Sequence, residues 1–383
     1  MRAPEGSTFL APLVATKKVL VCCGAGGVGK TTTSAALGFA AGLAGRRALV
    51  LTIDPARRLA EAMGIPAGSR EPVRVPRERL VAAAETYRPG GTVGDVDAWM
   101  LAPAVVFEEL VRRVAPDPER ARVVLSSRLY RHLSEVVAGM QEYTAAEALY
   151  DLSTSGKYDL VVLDTPPARN ALDFLEAPGK LARFLDERII SIFLPNTSRG
   201  FFKKAQELIG SVFSRVFGAE FFAELQEFLA AFAGMFGPMR AHAEGVRALL
   251  KSNDAAFLLV TSPDQAALED ARYFRDRIKS MGLPFAGFVL NRSWVRTDGL
   301  VSPEHLELTE HAKVPGVHEA IRKLGALAAI ELARVQRDRE LLAQLVAEVP
   351  STAFAVATPY LGEAIEDVRG LAMLARGIAE SPA

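Results

Sequence analysis

The sequence predicts an α/β protein: a doubly wound, mostly parallel sheet with a helical subdomain inserted into it. Three observations lead there. Its short apolar runs are continuous rather than alternating, as in strands buried on both faces. Helical patterns separate those runs. One glycine-rich loop of the phosphate-binding kind follows the first run, and no internal repeat accompanies it.

Taken in order, Lys-Val-Leu-Val-Cys-Cys (18–23) is a β-forming run bounded by glycine and predicts the first strand. A helix is expected over Thr32 to Ala44 and a second strand over Ala48 to Ile53. The polar stretch Pro66 to Arg79 reads as a surface loop. Further strands are expected at Leu160 to Leu163, Phe257 to Val260 and Phe285 to Leu290. Val96 to Leu149 and Pro178 to Leu250 are helical stretches too long for simple crossovers, so they read as insertions. The chain is thus expected to be one domain, 1–383, with an α/β core in 17–95, 155–178 and 252–383. The helical insertions are placed at 96–150 and 179–251. The last helix, Leu361 to Ala379, is amphipathic with a polar face of mixed charge, which predicts packing on the core rather than a basic membrane anchor.

Composition narrows the function classes. In 383 residues, 45 Lys+Arg balance 45 Asp+Glu, which argues against nucleic acid or an anionic membrane surface as partner. The only two cysteines, Cys22 and Cys23, are adjacent in a strand, so their side chains point to opposite faces and cannot converge on one ion. They read as core residues of a reducing compartment. The five histidines (His132, His242, His305, His311 and His318) show no metal-ligand spacing, and solvated or structural roles are expected. No apolar stretch approaches the ~18 residues of a membrane span. Met1 to Lys18 lacks a signal-peptide pattern, and a cytoplasmic protein without membrane insertion is expected.

Gly24-Ala25-Gly26-Gly27-Val28-Gly29-Lys30-Thr31 matches G-x-x-x-x-G-K-[ST] between a strand and a helix. Such glycines let backbone N–H groups turn toward phosphate, with Lys30 adding positive charge and Thr31 offering its hydroxyl to Mg²⁺. Thr32 continues the loop into the helix. Asp54 follows the second strand, in Thr52-Ile53-Asp54-Pro55, where it can orient attacking water or cap the next helix, or both. Asp164 ends the run Leu160 to Leu163, where it can hold the water shell of Mg²⁺. These elements together make nucleotide hydrolysis with Mg²⁺ on a P-loop fold the leading reading.

The same residues resemble the ArsA and Get-pathway tail-anchor targeting ATPases, a family with a deviant Walker A loop, and the resemblance spans most of the chain. Gly24 to Thr32 resembles the deviant loop, Asp54-Pro55-Ala56 switch I and Asp164-Thr165-Pro166-Pro167 switch II. The resemblance implies that Asn291 contacts adenine and that Pro359, in Pro359-Tyr360-Leu361-Gly362-Glu363, lies near the base. It also implies ATP as the nucleotide and a homodimer. One departure stands out: the family's second lysine, after the first glycine, is here Ala25. Either Arg57, Arg58 or Arg169 supplies the missing charge, as an arginine finger would, or these are surface arginines and turnover is slow. The zinc-binding C-x-x-C of the eukaryotic targeting members is absent, as are the three thiolates of the arsenite pump.

The resemblance gives the second insertion a further meaning. Ten of the twenty phenylalanines fall between Phe193 and Phe236. Phe221, Phe222, Leu225, Phe228, Phe232, Met235 and Phe236 lie at helical spacing on a broad apolar face. They either pack as core or form a groove for the transmembrane helix of a membrane-protein client. Two other classes stay open: a nucleotide-binding regulatory switch with little turnover, and the ATPase subunit of an anion efflux pump.

Overall fold

The structure, a computed structural model, describes residues 10–53, 58–66, 68–87, 93–127, 140–165, 215, 218–233, 235–296, 316–361 and 368–379. Eight strands form one sheet: β1 (Val19–Cys23), β2 (Ala48–Thr52), β3 (Val73–Arg74), β4 (Val96–Met100), β5 (Leu160–Asp164), β6 (Ala255–Thr261), β7 (Phe285–Ser293) and β8 (Phe354–Pro359). Their order is β3-β4-β2-β5-β1-β6-β7-β8. Only the β3–β4 pair is antiparallel; the other neighbours run parallel. Every residue of β1, β2, β5 and β6 is buried, which is why these runs are continuous in the sequence.

Helices cover both faces. On one, Leu20, Cys22, Val50, Val162 and Leu258 pack against the helix Lys30–Leu43 and, through Leu371 and Leu374, the helix Val368–Ala379. On the other, Val21, Cys23, Leu51, Val161 and Leu259 pack against Leu149, Val246, Leu250, Leu268 and Phe274. Cys22 and Cys23 thus belong to opposite cores, as alternation along a strand requires. Burial pushes both thiols up to about 12, so they are protonated hydrophobes rather than thiolates.

The region read as a first helical insertion opens with a strand. β4, Val96–Met100, lies between β2 and β3, and its buried Asp97 interrupts the apolar run that would have signalled it. Asp97 is satisfied by the Tyr158 hydroxyl, which donates to it at 2.7 Å, and by Arg74 of β3. β3 itself falls within the stretch expected to be a loop. The helix after the glycine loop begins at Lys30, two residues before its expected start. The last helix is seen from Val368; Leu361, its expected start, is not helical, and 362–367 lie outside the described set.

Beyond β4, the first insertion contributes the helices Pro103–Val114, Pro118–Ser126 and Met140–Thr154. Asp117 caps the second of these by accepting from the Arg120 amide at 2.8 Å, with Pro118 at the first helical position. The described part of the second insertion holds Ala219–Ala233 and Phe236–Lys251. No described helix is long and apolar enough to cross a membrane.

Candidate active site

β1 lies between β5 and β6, so the loop after Cys23 opens at the carboxyl ends of three neighbouring strands. Parallel sheets of this kind place ligands there. Two glycines fix the path of the loop. A Cβ on Gly24 (φ 152°) would lie 2.1 Å from the Val260 carbonyl oxygen. Gly29 (φ 90°) precedes the helix in the left-handed region, and its Cβ would lie 2.1 Å from Asn291 Nδ2. Only glycine permits both approaches. Between them Gly26 and Gly27 are exposed, so the rim of the loop faces solvent.

Lys30 is buried, and its ammonium donates to the Ala25 carbonyl at 2.7 Å, folded across its own loop. Thr31 Oγ1 donates to Asp164 Oδ2 at 2.7 Å. Thr52 Oγ1 donates to the same oxygen at 2.9 Å. The register explains the convergence: Cys22 and Thr52 both stand opposite Asp164 at the ends of β1, β2 and β5. Thr165 then ties the end of β5 back to β1 by donating to the Cys22 carbonyl at 2.8 Å. A wholly buried carboxylate with two hydroxyls on one oxygen, next to a buried ammonium, suits an anion and a hard dication together.

Asn291 braces the loop from behind. Its Nδ2 donates to the Val28 carbonyl at 2.8 Å, and its Oδ1 accepts from Thr358 Oγ1 at 2.7 Å. A bulge aims it there: the β7–β8 register shifts between Leu290 and Ser293, and Arg292 takes φ 57°. The chain beyond is pinned by the buried Asp338, which accepts from the Trp294 amide at 2.9 Å.

Of the residues the sequence put forward, the structure brings together Gly24 to Thr32, Asp164 and Asn291, with Pro359 paired to Ser293 one step beyond. Asp54, Arg57 and Arg169 lie outside the described residues, and Arg58 is exposed at the start of the helix Arg58–Met63. Thr52 and Thr358 were not expected here. Thr52 carried a usable signal, a hydroxyl at the end of a strand beside that of Asp164. Thr358 carried none.

The apolar face of the second insertion divides. Phe228, Met235 and Met239 are buried against Phe107, Leu110, Val111 and Val124 of the first insertion. Phe228 and Met235 are therefore core, because the two insertions cover each other there. Phe221 is exposed, and Phe222 and Leu225 are half-buried. The side chains of Phe232 and Phe236 lie outside the described residues.

Comparison with known proteins gives a consistent picture. The profile of the ArsA family, described as anion-transporting ATPase, matches residues 17–299. A protein of Aquifex aeolicus named "Putative arsenical pump-driving ATPase 1" is 22% identical over 261 residues, 67% of this chain and 58% of its own. The protein named ATPase GET3 of Malassezia globosa is 27% identical over 168 residues, 44% of each chain. ATPase BagA of Mycobacterium tuberculosis is 24% identical over 310 residues, 76% of this chain and 67% of its own. The chain spans about half the length of the first of the curated relatives it matches, between 40% and 58%.

Proposed function

The chain belongs to the anion-transporting ATPase family, and from that premise we propose that it is a Mg²⁺-dependent ATP hydrolase. The observation that carries this reading is the Thr31–Asp164 hydrogen bond, which joins the loop hydroxyl to the strand-end carboxylate. In this reading the loop amides and Lys30 hold the phosphates, the ammonium exchanging the Ala25 carbonyl for phosphate oxygens. Thr31 would ligate Mg²⁺ directly and Asp164 through water. Mg²⁺ bound there would neutralise the charge that develops on the phosphates. Asp54 positions the attacking water, and Arg57 or Arg169 supplies the cation that Ala25 does not. Asn291 has one amide hydrogen and one lone pair beyond its bonds to Val28 and Thr358, and these remain for the base, with Pro359 beside it.

The test is steady-state phosphate release with Mg²⁺ and with a chelator. Lys30→Ala and Asp164→Asn are expected to lower turnover by about 10²-fold or more, the scale for losing one aligned electrostatic contact. An undiminished rate in both contradicts the proposal.

The finer reading is a cytoplasmic homodimer that opens and closes with nucleotide around a hydrophobic transmembrane helix of a client. It is supported by the family, by the relative named GET3 and by the exposed Phe221 with Leu225 one turn along. Capture of a hydrophobic helical peptide should fall in Phe221→Asp and Leu225→Asp; unchanged capture in both ends it. A second reading, a switch with little turnover, is favoured by Ala25 at the position of the family's second lysine. It predicts no rise in turnover when the peptide is added. An arsenite-type pump role would need a ligand set other than Cys22 and Cys23, which lie in opposite cores.

A further inference from the structure

Outside the nucleotide site, three side chains able to ligate a metal meet where the helical insertions touch. Glu147 and Asp151 lie one turn apart on the helix Met140–Thr154, and His242 reaches them from Phe236–Lys251. One ligand atom from each lies within 4.8 Å of the others. His242 Nδ1 is 2.6 Å from Glu147 Oε1. The Glu147 side chain is only 1% exposed, and its Oε2 is buried with no hydrogen-bond partner among the described residues. Burial, ahead of the attraction of His242, pushes its carboxyl above the ordinary range.

The surroundings hold this arrangement. Arg113 pairs with Asp151, so a guanidinium stands beside the two carboxyl groups and the imidazole. The Tyr150 ring packs edge-on against His242 at 5.9 Å and fixes the imidazole plane. Gly245 makes room for that ring, since a Cβ there would lie 2.7 Å from the Tyr150 hydroxyl.

We propose that Glu147, Asp151 and His242 form a binding site for a divalent transition-metal ion, with zinc as the ion that suits one imidazole and two carboxylates. Three protein ligands at ~2.0–2.2 Å leave a fourth position of the tetrahedron for water. An all-oxygen shell, which Mg²⁺ and Ca²⁺ require, is not what these residues offer. The ion takes the place of the hydrogen bond between His242 Nδ1 and Glu147 Oε1, with the imidazole proton carried on Nε2. Glu147 Oε2 then gains an electrostatic partner. The ion would also staple the second insertion to the helix that runs into β5, the strand ending in Asp164.

The test uses the full chain, stripped with chelator and titrated with zinc chloride by calorimetry, with bound metal counted by mass spectrometry. One zinc per chain is expected, with a rise in melting temperature. Glu147→Gln, which preserves shape, and Asp151→Asn should each weaken binding by about tenfold or more. Circular dichroism of the metal-free variants verifies their fold, so that a lost site is not a lost structure. No zinc bound by the wild-type chain, or unchanged affinity in both variants, overturns the proposal.

Discussion

Asn291 shows how much of the site rests on one side chain. It holds the Val28 carbonyl and Thr358, and it stands where a Cβ on Gly29 would have to go. Asn291→Ala leaves a buried carbonyl and a buried hydroxyl without that partner, at a cost of about 1–3 kcal/mol. The expected outcome is a lower unfolding midpoint in urea together with weaker Mg-ATP binding. A change in stability alone would mean that the bracing does not reach the loop. The sequence placed Asn291 near the site only through family resemblance. Its bond to Val28 spans 263 positions, and no local pattern encodes it. Lys30 and Thr31 were legible because their chemistry is written in a contiguous motif. His242 was not, because its partners come from another helix and spacing along the chain says nothing of them.

At the level of elements, five of the eight strands were readable as continuous apolar runs; β3, β4 and β8 were not, although β4 and β8 are almost wholly buried. β1, β2 and β5 to β7 lie where continuous apolar runs predicted them. β4 was taken for helix because Asp97 breaks its pattern, and only tertiary partners, Tyr158 and Arg74, make a carboxylate acceptable there. Phe228 illustrates the reverse case, a helical apolar face that the other insertion covers. Phe228→Ala should destabilise the chain by about 3–5 kcal/mol, measured by chemical denaturation. A loss under about 1 kcal/mol would mean that this face is open. A third element-level contact has a pH signature. The segments entering β2 and β5 are joined by Arg47 and Asp159, whose carboxyl is lowered to about 2, first by the side-chain hydrogen bond from Arg47. A depressed folded-state value stabilises above the unfolded value near 4 and is lost as pH falls toward 2. In Arg47→Ala the Asp159 titration, followed by NMR, should move up toward the ordinary carboxylate range. An unmoved titration would place the cause elsewhere.

For the whole molecule, the sheet order puts the glycine loop beside β5 and β6, where carboxyl ends converge. Asp164 couples that site to the body of the protein. Its strand is fed by the helix Met140–Thr154, which packs on the second insertion through Glu147 and His242. The glycine loop at one end and the helices Met140–Thr154 and Phe236–Lys251 at the other are therefore joined through continuous structure. The proposed dimer predicts that sedimentation of the wild-type chain shifts toward twice the monomer mass with Mg-ATP; a monomer at all nucleotide levels would contradict it. This architecture was legible in outline because strand composition and one loop motif determine it. The packing of the insertions was not, since the same apolar helices can cover each other or a client.

The central claim, that the amides after β1 and the ammonium of Lys30 grip a triphosphate, is tested most directly by titration calorimetry with Mg-ATP on the wild-type chain and Lys30→Ala. Saturable binding at one site per chain is expected, weakened about tenfold or more in the variant, a change of at least ~1.4 kcal/mol. No association with the wild-type chain, or equal affinity in both proteins, would contradict it.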